Sequence, residues 1–132
     1  MRVALLMVAV VAACAVAEEV GVAPEVQLAV APMLVPAGDS ATITLTTTVP
    51  GGVRYNLCTS TLEHRTGYDW QPVPSDRVCT MELRLLEPGG EAQFTFQLPA
   101  SLEGGEYRYH TRVERVDAGE MADARTAPFR VQ

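Results

Sequence analysis

The sequence predicts an all-β sandwich of seven or eight short antiparallel strands. Three observations carry that prediction. Apolar and polar side chains alternate over short stretches, Gly and Pro turn signals separate those stretches at nearly regular spacing, and beyond the first seventeen residues no segment repeats apolar residues at helical spacing. A chain of 132 residues, 48% hydrophobic and 20% charged, has the size and balance of one globular domain and leaves no room for a second.

The strands follow in order. Glu25 to Ala31 places Val26, Leu28 and Val30 on one side of an extended chain and stops at Pro32. Pro36-Ala37-Gly38-Asp39 is turn chemistry, and the Thr-rich run from Ser40 to Val49 carries Ile43 and Leu45 on a half-buried strand. Pro50-Gly51-Gly52 turns the chain again. Val53, Tyr55, Leu57, Thr59 and Thr61 then share one parity of a strand, with Arg54, Asn56, Cys58 and Ser60 on the other. After a turn at Thr66-Gly67, Tyr68 to Val73 forms a short strand holding Trp70, with Pro72 and Pro74 at its end.

Cys79 to Leu86 alternates Met81, Leu83 and Leu85 against Glu82 and Arg84 until Pro88-Gly89-Gly90 breaks it. The clearest period-two signal is Ala92, Phe94, Phe96 and Leu98 against Gln93, Thr95 and Gln97. Pro99 to Gly105 crosses over. Tyr107, Tyr109, Thr111 and Val113 next alternate with Arg108, His110, Arg112 and Glu114, and a last strand is predicted from Arg125 to Val131. Short strands at this spacing, with no amphipathic helix, close as two stacked antiparallel sheets.

Within this pattern Glu103-Gly104-Gly105-Glu106-Tyr107 resembles the tyrosine corner of immunoglobulin-like sandwiches. The resemblance implies that the Tyr107 hydroxyl bonds back to the backbone where the chain crosses between sheets. Two residues on, where an antibody domain has a Cys, stands Tyr109, so that family's inter-sheet disulfide is not implied. Leu86-Glu87-Pro88-Gly89-Gly90, the Phe94-Thr95-Phe96 strand, Leu98-Pro99 and Gly105-Glu106-Tyr107-Arg108 resemble bacterial immunoglobulin-like modules over Glu25 to Gln132. Those modules include some similar to the intracellular proteinase inhibitor family. The shared motifs are turn-and-strand punctuation, which implies an immunoglobulin-like sandwich and no particular activity.

The first residues carry an address. Met1-Arg2 precedes an apolar run from Val3 to Ala17, interrupted only by Cys14, and Glu18-Glu19 follows. One positive charge, a short apolar stretch and small residues before a polar start make an export signal at residues 1–17, too short to span a bilayer core. Residues 18–24 then read as a tether, and the sandwich as 25–132. Two cleavage readings compete. Val11-Ala12-Ala13-Cys14 resembles the bacterial lipobox, which implies an acylated Cys14 at the mature N-terminus, whereas Ala15-Val16-Ala17 is an A-x-A site that would release a soluble protein from Glu18. Of three cysteines, pairing Cys58 with Cys79 leaves Cys14 over, and either reading disposes of the odd thiol. An exported address favours oxidation of the pair.

Charge and motif exclude several classes. All ten basic residues are Arg, and the net charge of −6 becomes −7, nine basic against sixteen acidic, once Arg2 leaves with the leader. That balance opposes nucleic-acid phosphates and anionic lipid headgroups, so membrane attachment would rest on lipid at Cys14. His64 and His110 stand alone, without metal-ligand spacing, and read as solvated loop and strand-face residues. Ser60, Ser75 and Ser101 lack a nucleophile-elbow frame, and no cofactor motif is present. Tyr68 and Trp70, in a Pro-flanked segment enclosed by Cys58 and Cys79, form the best candidate contact surface for an unknown protein or envelope component. The competing reading packs Trp70 against the disulfide as core. The expectation is an exported, non-catalytic binding or structural module. A secreted proteinase inhibitor using Arg65 to Trp70 or Pro72 to Arg77, and an enzyme with an unrecognised site, are the alternatives.

Overall fold

The computed structural model describes residues 24–132; the predicted leader, Cys14 and the tether up to residue 23 lie outside the described residues. The chain is all-β. Its strands are β1 (Val26–Ala31), β2 (Leu34–Val35), β3 (Ser40–Thr47), β4 (Val53–Tyr55), β5 (Thr61–Thr66), β6 (Asp69–Pro72), β7 (Arg84–Leu86), β8 (Glu91–Gln97), β9 (Gly105–Arg115), β10 (Met121–Arg125) and β11 (Phe129–Val131). A single turn of 3-10 helix, Leu57–Thr59, lies between β4 and β5.

Two sheets enclose the core. The smaller has the order β1-β3-β8, with Ile43 opposite both Val30 and Phe94. The larger is built around β9, whose one edge pairs with β5 and β4 and whose other pairs with β11 and β10. β6 extends it beyond β5, β7 beyond β4, and β2 beyond β11. The β2–β11 pair is parallel, a departure from the all-antiparallel expectation. It arises because the chain leaves the small sheet after β1 and joins the large one at Leu34, covering the edge of β11.

Period-two alternation becomes burial as expected on β1, β3, β8 and β9: Leu28, Val30, Ala41, Ile43, Leu45, Ala92, Phe96, Leu98, Tyr107, Tyr109 and Val113 are all in one core cluster. Tyr109 stacks on Phe96 at 4.7 Å and on Phe129 at 5.7 Å, so aromatic rings from both sheets meet across the interior. Each such ring removes on the order of 150–250 Å² from water, which makes this trio a large share of the stabilising burial.

The structure has eleven strands where seven or eight were expected, because several predicted strands are interrupted. Val53 to Thr61 is not continuous. It breaks at Asn56, whose side-chain amide donates to the Thr80 carbonyl at 2.6 Å, while the Thr59 hydroxyl donates back to the Asn56 carbonyl at 2.7 Å. The break buries Leu57 and shifts the pleat, so that Ser60 now faces inward with Val53. Of Cys79 to Leu86 only the last three residues pair. The predicted final strand is two, with Thr126 between them: the Tyr109 amide donates to the Thr126 hydroxyl, and the Thr126 amide to the Tyr109 carbonyl.

Candidate functional site

The β5–β6 hairpin carries the residues singled out in the sequence. Its register sets Thr66 opposite Asp69, which leaves a two-residue turn of Gly67 and Tyr68. Gly67 takes φ +66°, and Tyr68 does not have positive φ, the combination that matches strand twist in a tight hairpin. Tyr68 is therefore thrown to the tip and is 97% exposed.

Trp70 sits one step down, opposite Arg65. Alternation on β9 turns Tyr107 and Tyr109 inward and Arg108 outward, and the pairing of Glu63 with Arg108 carries that outer face across β5. The indole therefore lies on the outer face of the large sheet, not in the core and not among the buried residues. The guanidinium of Arg108 is 4.3 Å from its ring centroid and that of Arg65 is 5.9 Å away. Both arginines are braced in turn. Arg108 donates to Glu63 at 2.9 Å in a partly buried pair, and Arg65 to Glu106 at 3.0 Å. The reading in which Trp70 closes the core is thus corrected: the parity of β6 points it outward, where two charged planes hold it.

The same outer face carries Arg54, Arg65, Arg108, Arg112, Arg125 and Arg130 against Glu63, Glu106, Glu114 and Asp123, as the strand registers require. It is net positive on a chain whose overall charge is −6. His110 makes a 2.7 Å hydrogen bond to Asp123, which holds that carboxyl below the usual range, helped by Arg112 and Arg125. His64 faces the other way. It stacks on Tyr107 at 4.3 Å and nearly parallel, so it packs on that buried ring while remaining half-buried.

Cys58 and Cys79 form a disulfide, bridging a separation of 21 residues. It ties the irregular Val73–Leu83 segment to the turn before β5. Within that segment Arg77 lies over the Phe96 ring at 4.4 Å and donates to the carbonyls of Cys58 (2.9 Å) and Ser60 (3.0 Å). A cleft of about 810 Å³ opens beside it, lined by Arg77, Ser60, Phe94, Phe96, Met81 and Tyr109 among others. Ser60 Oγ is buried with no partner among the described residues, and the Ser75 hydroxyl instead accepts from the Arg77 amide. Among the described residues no three His, Cys, Asp or Glu side chains gather as metal ligands.

At the start of β9 the Tyr107 hydroxyl donates to the Glu103 carbonyl at 2.6 Å. This is the backbone bond that the tyrosine-corner resemblance implies. Burial, with the nearby Glu103 charge, pushes the Tyr107 phenol up.

Sequence reasoning found the hairpin, Tyr68, Trp70 and, as the start of a candidate loop, Arg65, but missed Glu63, Arg108 and Glu106. A usable signal was present. A turn at Gly67-Tyr68 sets Arg65 across from Trp70, and the polar parity of the penultimate long strand supplies Glu106 and Arg108. Comparison with known proteins finds no family model and no curated protein that matches this sequence.

Proposed function

We propose that this is an exported cell-envelope protein whose immunoglobulin-like sandwich acts by binding, without catalysis, and is anchored through acylated Cys14. The observation that carries the binding reading is the braced indole of Trp70 beside the projecting Tyr68. A braced indole on a net-positive face loses little conformational entropy on contact and, with the exposed Tyr68, suits a partner with an apolar pocket and an acidic rim. The strand order, with a small β1-β3-β8 sheet facing a large one centred on β9, and the Tyr107 bond support the immunoglobulin-like assignment. The lipobox-like Val11-Ala12-Ala13-Cys14 supports the anchor, and release from Glu18 as a soluble form is the competing outcome.

Two measurements test this. A photo-reactive residue at position 68, with another at Thr44 on the opposite sheet as control, is cross-linked in intact envelope; a discrete adduct from position 68 that is lost with Trp70→Ala is expected. Equal adducts from both positions, or none from position 68, overturn the binding reading. The mass of the mature N-terminus, and partitioning of Cys14→Ala into the aqueous phase, test the anchor.

A second reading, proteinase inhibition, rests on the irregular Val73–Leu83 segment, which is exposed around Val78 and covalently braced at Cys79. Arg77 is folded back onto Cys58 and Ser60, so a protease cleft would meet Val78 and not Arg77. A panel of serine and cysteine proteases, read for inhibition, decides it.

A further inference from the structure

The segment from Thr80 to Leu85 does not behave like the rest of the sandwich. It has strand alternation, yet only Arg84–Leu86 pairs, with β4, and every residue from Thr80 to Leu85 is exposed. Three large apolar side chains stand on its one parity: Met81 is 89% exposed, Leu83 55% and Leu85 54%. β7 is also the terminal strand of its path in the large sheet, so its outer edge has no strand beside it among the described residues. Sandwich edges are usually blunted by Lys, Pro or an inward charge. Between Thr80 and Leu86 there is no Lys or Pro, and Arg84, on the parity of the buried Leu86, remains exposed.

The sequence here is complementary to itself. Set antiparallel to an identical segment and centred on Leu83, Met81 faces Leu85, Leu83 faces Leu83, and Glu82 faces Arg84, each hetero-pair occurring twice. Neither Glu82 nor Arg84 has an ion-pair partner among the described residues, so both charges are available. A one-residue slip in either direction would set Leu83 against a charged residue and part Glu82 from Arg84.

We infer that this edge pairs with the same edge of a second copy of the chain, in a two-fold contact centred on Leu83 that joins two large sheets edge to edge. An isologous arrangement of this kind uses one patch twice and closes on itself, so it yields a dimer and not a filament. The contact is short, which places its affinity in the micromolar range or weaker. It does not rest on the Trp70 reading, since β7 pairs with β4 and β6 with β5, at separate stretches along the same edge of β9.

The test is sedimentation equilibrium of the processed, disulfide-intact protein up to about 1 mM, the upper limit for weak association. Glu82→Arg alone sets arginines opposite each other, and Arg84→Glu alone sets glutamates opposite each other. Each single variant should dissociate about tenfold more readily than the parent chain, from two reversed cross-strand pairs. The double variant E82R/R84E restores opposite charges and should dimerise like the parent. An equimolar mixture of the two single variants should form a heterodimer. Both positions are exposed, so circular dichroism should show unchanged folding. A parent chain that stays monomeric throughout, or single variants that dimerise undiminished, or a mixture that fails to associate, overturns the inference.

Discussion

Replacing Trp70 by Ala separates the surface reading from the core reading by its magnitude. A Trp removed from a sandwich core costs about 3–5 kcal/mol. Trp70 lies outside the core, and what it loses is contact with two guanidinium groups, at 4.3 Å and 5.9 Å, both within the range in which an exposed cation–ring pair is worth about 0.5–1 kcal/mol. The expected loss is therefore about 1–2 kcal/mol, or a fall in Tm of roughly 5–10 °C for a domain of this size. Because the chain has a single Trp, the substitution removes the usual fluorescence probe, and urea unfolding must be followed by circular dichroism. A double-mutant cycle with Arg108→Met isolates the closer pair and should return a coupling of about 0.5–1 kcal/mol. A loss above 3 kcal/mol, or zero coupling to Arg108, refutes the geometry on which the contact surface rests.

Three further outcomes are expected. Replacing Cys58 and Cys79 by Ala removes a 21-residue cross-link and should cost about 3 kcal/mol in equilibrium unfolding, with proteolysis then entering first within Val73–Leu83. Gly52→Ala should cost about 3 kcal/mol or more, since Gly52 holds φ +86° and a Cβ there would strike the Leu86 carbonyl, whereas Gly67→Ala, at φ +66° with open space around it, should cost only about 1–2 kcal/mol. Raising the pH above about 10 should destabilise the protein: burial pushes the Tyr109 phenol up despite the opposing charge of Arg77, so the unfolded chain releases that proton first and stability falls with pH, by up to about 1.4 kcal/mol per pH unit. Tyrosinate absorbance and circular dichroism should change together, and early ionisation of all four tyrosines without unfolding contradicts this.

Much of the fold was legible because half-buried strands display their pleat as alternation. That held for β1, β3, β8 and β9, where Leu28, Ile43, Phe96 and Tyr109 went inward as their parity required. It failed where tertiary partners override local pattern. Met121–Arg125 has the sequence Met-Ala-Asp-Ala-Arg, with no β-branched residue, and is a strand because β9 offers it an edge. The break at Asn56 depends on the Thr80 carbonyl, which accepts from the Asn56 side-chain amide, and on a cysteine partner beyond the next hairpin, neither of which local alternation encodes. At the site, the tight turn and the exposed Tyr68 follow from Thr66-Gly67. The setting of Trp70 does not, since Arg108 reaches it from another strand across β5.

The eleven residues of β9 make contact, along their two edges, with partners that precede and follow it in sequence, from β4 at Val53 to β11 at Val131. The large sheet accordingly has no self-sufficient beginning. Until Gly105–Arg115 has left the ribosome, β4 and β5 lack the neighbour that holds them side by side, and chain closure over such distances is slow. A truncation before β9 therefore forfeits the assembly of the whole layer instead of trimming its rim.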